Sequence, residues 1–181
     1  MLAEPRFRRS AGALTLVSMI HLEIAPILLW MFVILTGIAI GGGIYEVRAV
    51  YPNWKQDPKP ETLARRLRES SQMNAGRRFW PFVSPVLAVL SVLNMWAAFQ
   101  ATGFIRLVWL AAATAVAVRS IAGYSYFVPT MLLKFEKPET MTPRDLERAV
   151  RCWTSLSPWR LYLEFPAWIS ALWVLTAFHP K

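Results

Sequence analysis

Four charged residues stand in or beside strongly apolar stretches, and they are the candidates for chemistry: Glu46, Arg119, Arg160 and Glu164. A carboxylate in such surroundings can accept a proton, and a guanidinium can stabilise negative charge that develops on an oxygen. Charges in an apolar environment are costly unless they are paired or hydrated, so they usually face a helix-bundle interior and mark functional positions. We therefore take these four residues as candidate catalytic residues.

The elements that must position them are apolar blocks long enough to cross a bilayer. The chain of 181 residues is 55% hydrophobic and only 17% charged, whereas a soluble domain usually carries about 25% charged residues. A spanning helix needs about 20 apolar residues, and none of the blocks alternates polar and apolar residues as barrel strands do. The blocks predict four membrane spans, at 24–44, 81–101, 107–127 and 158–178.

The sequence thus predicts an all-α fold, an integral membrane four-helix bundle that forms a single domain over residues 1–181. We expect residues 1–23 to form an interfacial N-terminal segment, since one helix over 11–44 would measure roughly 51 Å, more than the hydrocarbon thickness. Loops one and three each predict a short amphipathic helix. In loop three, Thr142 followed by Asp145 is typical of a helix N-cap, and Pro143 suits a first turn.

The excess of positive charge predicts where the protein resides. The formal net charge is +9, and most of the lysines and arginines lie in the connections at 45–80 and 128–157. This pattern is typical of the positive-inside bias and of contact with lipid headgroups. We expect a multi-pass protein of a bacterial plasma membrane with lipids as partners and without nucleic acid. Its orientation stays open, because the arginines near the N-terminus favour the reverse arrangement.

Cysteine and histidine usage argues against several redox classes. The chain has a single cysteine, Cys152, so it has no CxxC pair and no intrachain disulfide. Its histidines, His21 and His179, lie at or beyond the ends of the blocks, and no Glu-x-x-His pair for a di-iron centre occurs. We predict no metal site and no cofactor.

Depth in the apolar blocks suggests how two of the charges pair. Arg119 lies eight residues inside span three and Glu164 six residues inside span four, which correspond to roughly 12 and 9 Å from the same face. Similar depth predicts an ion pair between them, with Arg160 and Glu46 completing a charged cluster nearer the mouth. A structural ion pair and a functional site are both compatible with this pattern.

The glycine-rich end of span one has two interpretations. Gly37 and Gly41 form a small-xxx-small pair, extended by Gly42 and Gly43, and such surfaces let another helix approach closely in lipid. That contact could be within the chain or across a homodimer through Gly37 and Gly41. Alternatively, the missing side chains leave room for a ligand beside Glu46.

Aromatic residues at the same end of the bundle suggest a flat hydrophobic ligand. Aromatic walls with a few polar groups suit such a molecule, although anchoring at the membrane interface also explains many of these residues. The candidate substrate-binding residues are Tyr45, Trp80, Asn94, Tyr124, Tyr126 and Trp153.

Three short stretches resemble a family of small four-helix membrane proteins of unknown function that includes the fungal anthrone oxygenases. They are Gly43-Ile44-Tyr45-Glu46 followed by Pro52, Tyr126-Phe127-Val128-Pro129, and Trp153 to Arg160. The last is similar to a family pattern of Trp, three residues, Asn, two residues and Arg, except that Ser157 replaces the asparagine. The resemblance covers residues 24 to 178 and implies oxidation of a polycyclic anthrone by molecular oxygen without an obvious metal or flavin. In that case Glu46 or Glu164 would accept the proton, and Arg119 or Arg160 would stabilise the enolate.

The sequence leaves the function open between classes. One hypothesis is a membrane protein that binds or oxidises a hydrophobic aromatic molecule, anthrone- or quinone-like, without a metal. The alternatives are a small transporter that uses the buried charges for coupling and a structural membrane subunit whose loops dock a partner.

Overall fold

A computed structural model describes residues 6–55, 62, 65, 71–135, 137 and 140–178, with side chains described from residue 24 onward except for 71–75. Over these residues the chain is all-helical, as predicted. It has four long helices, α1 (Arg6–Tyr45), α3 (Ser71–Gln100), α4 (Gly103–Ala122) and α6 (Pro143–Ala177), and two short ones, α2 (Tyr51–Lys55) and α5 (Val128–Thr130).

Three helical segments are long and apolar enough to cross a membrane: Ile24–Lys55, Gly76–Gln100 and Gly103–Phe135. They contain the first three predicted spans to within one residue. The fourth predicted span, 158–178, lies almost entirely in α6. In the part of the chain that the structure describes, α6 is not among the three, because Arg160 and Glu164 make it less apolar.

Three π-helical turns interrupt the α-helical geometry. One, Glu46–Val50, joins α1 to α2, and the other two, Gly123–Phe127 and Met131–Phe135, flank α5. Because these turns continue the helical path, the helical segments that contain the first and third predicted spans extend beyond the apolar blocks, to Lys55 and Phe135. Such turns are rare in proteins, and those that do occur are often found at functional sites.

The sequence predicts a separate N-terminal segment and a separate short helix in loop three. In the structure, each is continuous with a long helix. The backbone of α1 is helical from Arg6 through Tyr45, without a break between residues 6–23 and the first span. Likewise, α6 runs from Pro143 through Pro158, so the short amphipathic helix predicted for loop three is the first part of α6. The helix predicted for loop one lies almost wholly outside the described residues.

The start of α6 follows the predicted capping chemistry. The Thr142 side chain accepts a hydrogen bond from the backbone N–H of Asp145 at 3.2 Å, and Pro143 occupies the first turn. Proline lacks an N–H and breaks a backbone hydrogen bond inside a helix. Packing against α1 and α4 holds α6 in helical form past Pro158.

Each long helix packs against two others: α1 and α4 both contact α3 and α6. Their buried side chains form two core clusters. The large core cluster includes Leu29, Phe32, Leu87, Ala98, Trp109 and Ala171. The aromatic core cluster includes Tyr51, Trp54, Phe127, Phe135, Leu146 and Trp153.

Glycines let α1 approach its neighbours closely, as one of the two interpretations predicted. A Cβ on Gly42 would lie 2.6 Å from the Phe79 ring, and one on Gly43 would lie 2.9 Å from Leu161. Gly37 lies against Trp168 of the same chain, whereas a Cβ on Gly41 would meet no atom of the described residues within 4 Å. The homodimer through Gly37 and Gly41 stays a prediction.

Candidate functional site: an aromatic cavity beside buried charges

A cavity of about 500 Å³ is lined by three of the long helices, α3, α4 and α6, together with α2, α5 and the π turns. This aromatic cavity receives Glu46 and Trp54 from the α1–α2 region, Trp80 from α3, Phe127 from the turn after α4, and Trp153 from α6. All three π turns contribute lining residues. Its volume falls within the range of sites for drug-sized ligands, roughly 300–1,000 Å³.

Glu46 is the centre of a hydrogen-bonded network on one wall. Its carboxylate accepts hydrogen bonds from Trp80 Nε1 at 2.5 Å, from the Tyr51 hydroxyl at 3.0 Å and from Arg160 Nη2 at 3.2 Å. The Tyr51 hydroxyl and Arg160 Nη2 also reach the Ser157 hydroxyl, at 2.7 and 3.1 Å. The predicted charged cluster of Glu46 and Arg160 is therefore present, and three other side chains, Trp80, Tyr51 and Ser157, fix its geometry.

Trp80 lies between the two guanidinium groups. The Arg119 guanidinium carbon is 5.2 Å from the Trp80 ring centroid, and that of Arg160 is 5.3 Å away. Arg160 also lies 4.6 Å from the Phe127 ring centroid. Cation–π contacts of this length are attractive and gain strength when water is excluded. They hold both arginines against the aromatic wall of the cavity.

Arg119 and Glu164 form the predicted buried ion pair. Arg119 Nε contacts a carboxylate oxygen of Glu164, and the two side chains are 3% and 2% exposed. Arg119 lines the cavity, whereas Glu164 lies behind it. A buried charge costs several kcal/mol unless it is compensated, so Glu164 is the counter-ion that allows a guanidinium to stand at this wall.

Three buried donors in the cavity wall lack a hydrogen-bond partner among the described residues. They are Arg119 Nη2, Trp54 Nε1 and Trp153 Nε1. Buried polar groups in folded proteins are normally paired with protein atoms or ordered water, and each exception requires an explanation. All three belong to residues that line the same cavity, which makes a ligand there the candidate acceptor.

The cavity opens between α3 and the region of α5. The lining residues Pro81 and Pro85 on α3 are exposed, and so are Tyr124, Val128 and Leu132 on the other side. Both sides belong to segments apolar enough to cross a membrane. The residues named here give the opening apolar flanks, and Arg77 on α3 adds one exposed charged residue at the rim.

The structure brings together six of the ten residues predicted for the site. The residues that line the aromatic cavity are Glu46, Trp80, Arg119, Tyr124, Trp153 and Arg160. Glu164 reaches it only through Arg119. The other three, Tyr45, Asn94 and Tyr126, are not among its lining residues.

Asn94 has a different set of partners, in the large core cluster. Its amide nitrogen donates to the carbonyls of Leu28 and Leu90 at 3.2 and 2.9 Å, and its oxygen accepts from Trp109 Nε1 at 3.0 Å. The side chain is fully buried and has no group left for a ligand. Tyr45 is 51% exposed on the outer face of α1.

Sequence reasoning missed Tyr51 and Trp54 as lining residues. Both follow the apolar block of span one, and a loop was expected there, so their orientation was not predictable from helical spacing. The π turn at Glu46–Val50 places both residues in the aromatic core cluster. Their proximity to the Glu46 carboxylate along the chain was the one available signal.

A metal site is not apparent in the described ranges, where no three His, Cys, Asp or Glu side chains come together as ligands. The absence of metal and cofactor stays a prediction. Comparison with known proteins gives no match to a family model, a curated protein or a solved structure. The function has to be argued from the cavity itself.

Proposed function

We propose that this protein is an integral membrane four-helix bundle that binds a flat hydrophobic aromatic molecule, anthrone- or quinone-like, in the aromatic cavity. The observation that carries the proposal is a cavity of about 500 Å³ whose wall combines several aromatic rings with two guanidinium groups, one paired with the buried Glu164 and one with the partly buried Glu46. Sites for such ligands are mostly apolar with a few placed polar groups.

The outer surface supports a membrane location for all four long helices. Large apolar side chains are more than half exposed on α1, α3 and α4, as at Ile27, Phe82 and Leu107. The outward face of α6 is similar, with Tyr162 68% and Phe165 51% exposed. Contiguous apolar surface of this kind is uncommon on soluble monomers. Lipid on this surface would leave Arg160 and Glu164 facing inward, as charged groups in membrane proteins do.

The lateral opening supports a ligand that arrives from the lipid. A hydrophobic aromatic molecule partitions into the hydrocarbon layer, and the gap flanked by Pro85 and Val128 leads from that layer to the Glu46 wall. The same opening gives a product a route back. Transport across the bilayer and a purely structural role are the other functions consistent with four such helices.

Oxidation of the bound molecule by oxygen is the stronger form of the proposal. Glu46 is the carboxylate on the cavity wall, so it is the candidate to accept a proton from an acidic C–H of an anthrone. Both of its oxygens already accept hydrogen bonds, from Trp80 and from Tyr51 and Arg160. This arrangement supports binding and orientation of the ligand as it stands. Proton abstraction by Glu46 would require one of these donors to move away from the carboxylate.

The test measures binding of anthraquinone to the protein in nanodiscs, with empty nanodiscs as the blank for partition into lipid. Gly123 lines the cavity, and a Cβ there would meet no atom of the described residues within 4 Å. The Gly123→Leu variant should therefore fold, fill the cavity and lower anthraquinone affinity by about tenfold or more, the cost of roughly 1.4 kcal/mol of overlap.

Gly41→Leu is the matched control. Gly41 is a helical glycine with the same open surroundings among the described residues, but it lies outside the cavity. Its variant should bind like the wild type. Equal binding by both variants, or saturable binding by neither variant nor wild type, would contradict the proposal. Oxygen uptake with anthrone, measured on the same samples, tests the oxidation step separately.

A further inference from the structure

We propose that the ligand carries a carbonyl oxygen on the side that faces Arg119 and that Arg119 Nη2 donates a hydrogen bond to it. This inference rests on the proposed function and adds the chemistry that the aromatic cavity selects. The observation behind it is a guanidinium that is 3% exposed, lines the cavity, and has a donor nitrogen without a hydrogen-bond partner in the described part of the chain.

The arrangement of Arg119 explains why the acceptor has to come from the cavity. Glu164 contacts the guanidinium at Nε, and Trp80 covers one face of it. Neither neighbour satisfies Nη2. Leaving a charged donor buried and unpaired costs more than leaving a neutral one. An acceptor that enters the cavity removes this penalty, whereas a pure hydrocarbon does not.

The balance of charge around the cavity favours a neutral acceptor over an anion. The guanidinium groups of Arg119 and Arg160 are each paired with a carboxylate, from Glu164 and Glu46. The remaining charged lining residue, Arg77, is exposed at the rim. A carboxylate ligand would therefore lose its hydration without gaining an unpaired cation. A carbonyl accepts the same hydrogen bond at a much smaller desolvation cost.

The residues that line the cavity supply a second pair of unpaired donors. Trp54 and Trp153 both pack against Phe135, with ring centroids 5.9 and 5.2 Å away, and neither indole N–H has a partner in the described residues. Trp153 precedes Glu164 by eleven residues on α6, which corresponds to about 16 Å along the helix axis. Anthraquinone carries both oxygens on its central ring, so a longer ligand is needed to bond to both sets of donors at once.

The experiment compares anthraquinone with anthracene, which share a ring system and differ in the two carbonyl oxygens. Affinities are measured in nanodiscs against empty nanodiscs. For the wild type, anthraquinone should bind roughly 10- to 100-fold more tightly, as expected for a hydrogen bond from a charged donor. The infrared carbonyl stretch of ¹³C=O-labelled anthraquinone should also shift to lower frequency when it is bound.

Two sets of variants assign that preference to its donors. The double variant Arg119→Leu/Glu164→Leu removes the guanidinium and its donors without leaving a lone charge, and it should lose both the preference and the infrared shift. Trp54→Phe and Trp153→Phe each remove one indole N–H and should weaken anthraquinone less than the double variant does. The control is Trp109→Phe, because the Trp109 N–H already bonds to Asn94 away from the cavity.

Each outcome decides one part of the inference. Equal affinity of anthracene and anthraquinone would overturn the carbonyl inference and leave intact the proposal that the cavity binds a flat hydrophobic aromatic molecule. A preference for anthraquinone that persists in the double variant would overturn the assignment to Arg119. Binding of neither compound by the wild type would overturn the proposed function and the inference with it.

Discussion

Two buried tryptophans show how the two core clusters differ. In the large core cluster, Trp109 Nε1 donates to Asn94 at 3.0 Å, and the Asn94 amide in turn donates to two backbone carbonyls. In the aromatic core cluster, Trp153 Nε1 has no partner among the described residues and lines a cavity. The same donor group has a partner within the protein in one place and none among the described residues in the other.

The comparison separates polar groups that hold the fold from polar groups held ready for binding. Asn94 is as deeply buried as Arg119, so burial alone does not distinguish a site residue from a structural one. The distinguishing property is whether neighbouring protein atoms satisfy the group. Changes in the large core cluster should therefore alter stability more than ligand affinity, and changes at the cavity wall should also alter affinity.

The largest expected effect is at the ion pair that joins the two regions. Glu164→Leu leaves Arg119 buried without its counter-ion and should lower the free energy of unfolding by about 3–5 kcal/mol. Reversible unfolding in mixed micelles measures this change. The double variant Arg119→Leu/Glu164→Leu should recover most of the loss, and additive effects in the cycle would show that the pair is not coupled.

Next in size is a change confined to the large core cluster. Asn94→Leu leaves Trp109 Nε1 unpaired and should cost about 1–3 kcal/mol of stability. Because Asn94 does not line the cavity, anthraquinone affinity in nanodiscs should stay at the wild-type value. A large loss of affinity in a folded Asn94→Leu protein would break the distinction between the two regions.

A smaller effect is expected within the Glu46 network. Tyr51→Phe removes one donor from Glu46 and from Ser157 and should cost about 1 kcal/mol of stability. The loss is limited because Arg160 Nη2 still reaches both oxygens, at 3.2 and 3.1 Å. Unfolding and anthraquinone titrations on the same samples should show both properties reduced, and unchanged affinity would place Tyr51 outside the binding wall.

The smallest effect is expected at Tyr45. Its side chain is 51% exposed and does not line the cavity, so Tyr45→Phe should change stability by no more than about 0.5 kcal/mol. Anthraquinone affinity should be unchanged as well. A clear loss of binding would show that Tyr45 contacts the ligand, as predicted from the sequence.

The sequence was sufficient to predict the helices and the main charge pairs. Apolar blocks of spanning length predict helices without detailed side-chain information, and charges at similar depth, such as Arg119 and Glu164, have few partners to choose from. The Thr142 cap was predictable for a similar reason, since its chemistry depends only on residues three positions apart.

The detailed shape of the cavity was not predictable, because it depends on non-local contacts and on departures from α-helical geometry. Asn94 was assigned to the ligand since its partner, Trp109, lies on another helix. Tyr51 and Trp54 were assigned to a loop since the π turn that precedes them has no signature in hydropathy. Continuity of α6 past Pro158 depends on packing against α1 and α4, which no local pattern shows.

The π turns have a consequence for how this cavity can change. Each turn adds a residue relative to regular α-helix, and one residue corresponds to about 100° of rotation around a helix axis. Deleting a single residue from Glu46–Val50 would thus swing Tyr51 and Trp54 toward a different direction without altering any side chain. In this protein, the length of the polypeptide at three positions, as much as residue identity, determines which side chains form the wall.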